Sequence, residues 1–229
     1  MSKKVFLGVG HGGNDPGASK YLVEKDVNLT MALACRDYLE YNGVQVLLSR
    51  TKDENDPLSD EIKECNAYNP DVAVDIHNNA GGGDGFEVYH YSGGGTSKTL
   101  AQNIEKEVIK IGQNSRGCKT KLNSAGKDYY GFIRQIKAPS IICEGVFVDN
   151  ATDVKIADTV AKQKEFGYAY ARGILKTLGI TPKEMNKQST ETGGLYRVQV
   201  GAFKYKEYAV ALQMKLMNAG FTDTFIKQD

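Results

Sequence analysis

The chain has no surplus of either charge: 29 Lys and Arg stand against 28 Asp and Glu. That balance argues against a dedicated nucleic-acid surface or anionic-membrane surface, both of which need clustered basic charge. No stretch approaches the ~18–20 uninterrupted apolar residues that a bilayer span requires. The start, Met1-Ser2-Lys3-Lys4, has a basic flank, but the apolar run behind it covers only Val5 to Val9. This is too short for a signal-peptide core, and no small-residue cleavage site follows. The expectation is cytoplasmic synthesis without an export signal, so that action outside the membrane needs a separate release step. The four cysteines, Cys35, Cys65, Cys118 and Cys143, form no CxxC pair. They read as reduced, mostly buried residues and not as a disulfide frame or a thiolate zinc site. There is also no GxSxG elbow, no HExxH helix and no GxxxxGK[ST] phosphate loop.

What is present is an alternation of strand and helix patterns. The run Val5–Val9 reads as a strand that ends at His11 in a loop of glycines, Asn14, Asp15 and Pro16. Helical spacing of Val27, Met31, Ala34 and Tyr38 predicts a helix over 25–42, with Glu24 where it begins. Strands are expected at 44–49, 72–77, 86–91, 132–134 and 140–144, with helices from Pro57, over 97–111 and over 160–178. Residues 112–131 show little pattern and read as a loop. The whole predicts a three-layer α/β domain with a twisted, largely parallel sheet flanked by helices.

Residues 181–194 have the composition of a linker between a domain at 1–180 and a tail at 195–229. The tail shows strand, helix and strand patterns, a small βαβ unit with 204–218 as its helix and Ala209, Leu212 and Leu216 on one side. About 35 residues are too few to hold a core alone, so the unit must dock, belong to a longer module, or pair with a second copy as a homodimer.

Only three histidines are available. His11 and His77 both close an apolar strand run and enter glycine- and asparagine-rich loops. His90 lies inside an alternating strand and reads as structural. A catalytic zinc site takes three ligands from His, Glu or Asp and leaves a fourth position for water. His11, Glu24 and His77 would complete such a set, with Glu144, at the end of a central strand, as the base. Each also has an ordinary role: a loop hydrogen-bonder for either histidine, a first-turn helix charge for Glu24. Cys143 faces away from Glu144 by strand alternation, which excludes it as a nucleophile beside that glutamate.

The blocks VGHGGNDPGA, EKDVNL, LSRTKD, VDIHNNA with GFEVY, and PSIICEGVFVDN occur in this order. Together they resemble the zinc-dependent N-acetylmuramoyl-L-alanine amidases of the type-3 amidase family, over roughly residues 4–178. The resemblance implies Zn²⁺ on His11, Glu24 and His77, Glu144 as catalytic residue, and peptidoglycan as the partner. The implied reaction is cleavage between N-acetylmuramic acid and L-alanine of the stem peptide, in a phage endolysin or a mother-cell lysis enzyme. A non-catalytic wall binder and a zinc peptidase acting within the stem are the alternatives. The blocks YRVQVGAF and NAGF resemble the first half of a sporulation-related repeat, a peptidoglycan-binding module.

Overall fold

The computed structural model describes residues 2–185, 199–218 and 224–227. It divides into two compact units, 1–185 and 186–229. In the first, a six-stranded sheet is built from β1 (Lys4–Val9), β2 (Gln45–Leu48), β3 (Val72–Asn79), β4 (Phe86–His90), β5 (Ser115–Lys119) and β6 (Ser140–Phe147). The strand order is β2-β1-β3-β6-β4-β5. All neighbouring pairs are parallel except β4 with β6. The helices are α1 (Glu24–Tyr41), α2 (Leu58–Tyr68), α3 (Gly95–Lys110), α4 (Gly131–Gln135) and α5 (Val160–Thr177), with a short 3-10 turn at Asp153–Ile156. The α/β expectation holds.

The two faces of the sheet are packed unequally. Val5, Leu7, Val74, Ile76, Ile141 and Cys143 point into a large core shared with Val27, Met31, Leu100, Ile104, Phe166 and Tyr170 from α1, α3 and α5. The alternate residues Phe6, Ala73 and Ile142 join a smaller cluster with Cys65 of α2 and Phe132 and Ile133 of α4. Period-two alternation along each strand makes this division.

Two segments depart from expectation. Phe132–Arg134, expected as a strand, lies in α4. Its Phe132 and Ile133, with Ile136 just after the helix, enter the smaller cluster, and a three-residue run is too short to reveal a helical spacing. Within 112–131, expected as loop, β5 adds an edge strand beside β4. Its sequence, SRGCK, is polar, as edge strands often are, and its pairing slips between Phe86 and Val88. Neither feature leaves an alternating signal.

In the second unit, α6 (Lys206–Asn218) turns Ala209, Leu212 and Leu216 to its half-buried side. Residues 199–203 and 224–227 are not in strand conformation. The remainder of the expected strands, residues 186–194 of the expected linker, and the homodimer pairing built on those strands lie outside the described residues.

Candidate metal centre

His11 is delivered by the loop after β1 in a left-handed backbone conformation, φ 62°. For a non-glycine residue that conformation is uncommon, and it recurs where a site fixes the chain. Three features hold the loop. Arg50 is almost fully buried and donates from Nε to the Val9 carbonyl (3.0 Å) and from Nη2 to those of Gly10 (3.2 Å) and Lys25 (2.8 Å). Lys25 Nζ donates to the Gly13 carbonyl at 2.9 Å and to Asp53 at 2.8 Å. Asn28 Nδ2 donates to the Gly10 carbonyl at 2.9 Å. The end of β1, the start of α1 and the loop after β2 are thereby tied together by hydrogen bonds to the carbonyls of Val9, Gly10, Gly13 and Lys25.

Glu24 opens α1, and its carboxylate accepts from two backbone amides, Ala18 N at 2.9 Å and Asn78 N at 3.1 Å. Gly17, at φ 63°, makes room: a Cβ there would sit 2.5 Å from Glu24 Oε2 and 2.6 Å from His11 Cδ2. A side chain at position 17 would therefore displace two of the three donors. Asn78 also donates to Asn28 Oδ1 (2.7 Å) and accepts from Val146 N (2.9 Å), which fixes β3 against α1 and β6.

Glu24 Oε1 is 3.2 Å from His11 Nε2 and 3.2 Å from His77 Nδ1. The two imidazole rings meet edge to face, with centroids 5.1 Å apart. Donors held about 2.0–2.1 Å from a tetrahedral ion stand roughly 3.3 Å from one another. The donor set therefore fits a zinc ion in both chemistry and spacing. Each imidazole has a carboxylate on its other nitrogen, Asp15 Oδ2 at 2.9 Å on His11 Nδ1 and Asp75 Oδ2 at 3.3 Å on His77 Nε2. Such outer carboxylates set ring orientation and basicity in metal sites. In the metal-free protein, hydrogen bonding to Glu24 raises the His11 pKa. Burial disfavours the charged His77, but Asp75 and Glu24 carry its pKa well above the ordinary value. Burial likewise works against the Glu24 carboxylate, and the two histidines outweigh it and hold its pKa well below the ordinary range.

Glu144 and His77, expected as the last residues of their strands, lie within them, because β6 runs on to Phe147 and β3 to Asn79. The two are register partners on neighbouring strands and so share a face of the sheet. Desolvation pushes the Glu144 carboxyl up to about 7, in the range suited to moving protons near neutrality. On its other side Glu144 pairs in register with Glu87, which Arg116 and Lys119 neutralise. Cys143 is fully buried in the larger core. His90 lies apart, its Nδ1 2.8 Å from the Tyr91 carbonyl oxygen.

Sequence reasoning missed Arg50 as a brace and Asp15 and Asp75 as partners of the histidines. Alternation does place Asp75 on the face of His77, and that was the available signal.

Three side chains that could hold a metal ion gather at the carboxyl edge of an α/β sheet, beside a cleft of about 550 Å³ lined by His11, His77 and Tyr130; as a candidate metal centre the set has fewer ligands than a closed structural site and space beside it for a substrate. The chain belongs to the N-acetylmuramoyl-L-alanine amidase family, whose sequence model matches residues 5–176, and a SPOR domain model matches residues 170–228. The chain is 35% identical over 231 aligned residues to the sporulation-specific N-acetylmuramoyl-L-alanine amidase of Bacillus subtilis, covering 99% of this chain and 85% of that one. It is 31% identical to the endolysin of Bacillus phage SPP1, over 83% of this chain and 74% of that one. The solved structure of the amidase AmiC2 of Nostoc punctiforme superposes with a TM-score of 0.70 at 29% identity, over 77% of this chain and 97% of that one.

Proposed function

We propose that His11, Glu24 and His77 hold a zinc ion and that Glu144 is the proton-transferring carboxylate of a peptidoglycan amidase. The chain is an N-acetylmuramoyl-L-alanine amidase by family. Its bond is the amide between the lactyl group of N-acetylmuramic acid and L-alanine of the stem peptide. Zinc, when bound, supplies a Lewis acid for the scissile carbonyl and lowers the pKa of water to about 7.

The chain's own residues do the rest. Asp15 and Asp75 hold the two imidazoles in orientation, and the amides of Ala18 and Asn78 hold Glu24. Glu144 accepts the proton of the attacking water and returns it to the departing alanine nitrogen, which leaves as a neutral amine. The observation that carries this reading is the 3.2 Å convergence of His11 and His77 on one Glu24 oxygen, with Glu144 in register beside His77.

The relatives' names point to two lytic settings, sporulation and phage release, and we assign this chain to that lytic class. The SPOR match supports wall targeting by the C-terminal unit. The test is zinc per chain by elemental analysis, together with end-group analysis of digested peptidoglycan. One zinc and new L-alanine amino termini are expected. Amino termini from deeper in the stem would identify a peptidase, and none at all a wall binder.

A further inference from the structure

Behind His77 lies a second polar feature that the amidase reading does not use. Asp75 spends one oxygen on His77, while its Oδ1 has no hydrogen-bond partner and the residue is 3% exposed. Glu61 of α2 is 5% exposed, and its Oε1 is likewise without a partner. The two unpartnered oxygens converge. A Cβ built on Gly8 of β1, the register partner of Asp75, would lie 2.1 Å from Glu61 Oε1 and 2.6 Å from Asp75 Oδ1. The absent side chain at Gly8 is what lets both carboxyls reach the same point above the strand. Both residues line the cleft that also contains His11 and His77, and Asp56 lines it beside them, only half-buried.

A buried acceptor left without a partner is destabilising, and two such carboxyl oxygens facing one another add mutual repulsion. A positive charge entering from the cleft relieves both. The donors are all carboxylate oxygens and few in number, which suits a hard divalent cation that keeps several of its waters. Zinc has the better-matched nitrogen-containing set next door.

We propose that Glu61 and Asp75, with Asp56 at the rim, form a second cation site that takes a hydrated hard divalent ion of the Mg²⁺, Mn²⁺ or Ca²⁺ class. Asp75 then lies between the two centres, with one oxygen toward the ion and the other toward the zinc-side histidine. The site does not depend on which bond the enzyme cuts.

The test is electron paramagnetic resonance of Mn²⁺ titrated into the zinc-loaded full chain, with zinc measured on the same samples. About one bound Mn²⁺ per chain is expected, displaced by Ca²⁺ or Mg²⁺, with zinc unchanged. Glu61→Gln, nearly isosteric, should weaken binding at least tenfold. Asp56→Asn, at the accessible rim, should weaken it several-fold and serves if the first variant fails to fold. Three outcomes would each overturn the proposal: a spectrum of free aqueous Mn²⁺ throughout, Mn²⁺ uptake matched by zinc loss, or undiminished affinity in the variants. The first would indicate that the two carboxyls simply share a proton.

Discussion

The two faces of one sheet have been given opposite tasks. Along β3, Val74 and Ile76 enter the larger core while Asp75 and His77 face the cleft; along β6, Ile141 and Cys143 enter the core while Glu144 stands beside His77. A shift of one residue in either strand would exchange the two sets. The apolar face fixes the register, and register is what places His77 against Glu144. Rigidity on one side thus positions chemistry on the other, at a cost in stability carried by the charged side.

The sharpest break of this division is Glu144→Gln. It should lower amide cleavage by about 10³-fold or more, given the usual worth of a positioned acid–base group, while zinc content stays at one per chain. Next comes the opposite face. Ile141→Ala, in the fully buried core, should destabilise the domain by about 2–5 kcal/mol in urea unfolding and leave the turnover of the folded fraction near wild type.

The third prediction concerns the cost of the charged face in the metal-free protein. The Glu144 carboxyl is raised by desolvation from 4.5 to about 7. The folded state therefore binds its proton more tightly than the unfolded state. The resulting penalty is absent below pH 4.5, grows as pH rises through the window to 7, and levels off above it at roughly 3 kcal/mol. Metal-free Glu144→Gln should consequently exceed metal-free wild type in stability at pH 8 and lose the advantage at pH 4, as read from paired unfolding curves. The smallest effect belongs to the rim. Asp15→Asn should lower zinc affinity by about 10-fold, the low end for an outer carboxylate, because Asp15 is largely exposed. Chelator competition measures it.

The larger core was the more legible of the two faces. Apolar alternation and helical spacing identified β1, β3, β6, α1, α3 and α5 because those elements are specified by burial, which composition records directly. The donors were legible as residue types, since few histidines exist and two of them end apolar runs, but spacing alone left each with an ordinary role. The family resemblance joined them. Asp15 and Asp75 lie only four and two residues from the histidines they meet, and went unread because a carboxylate near a histidine is an ordinary pattern. Arg50 stayed hidden for a different reason: it reaches carbonyls on β1 and α1 from a loop after β2, and one-dimensional spacing does not encode such proximity. The edge strand β5 and the short helix α4 escaped because neither is long enough or alternates enough to show a period.

The most direct measurement is the identity of the amino groups released from purified peptidoglycan by zinc-loaded wild type and by zinc-loaded Glu144→Gln. The account predicts new L-alanine termini from the wild type and essentially none from the variant at equal zinc content. Equal release by both proteins, or termini other than L-alanine, would contradict it.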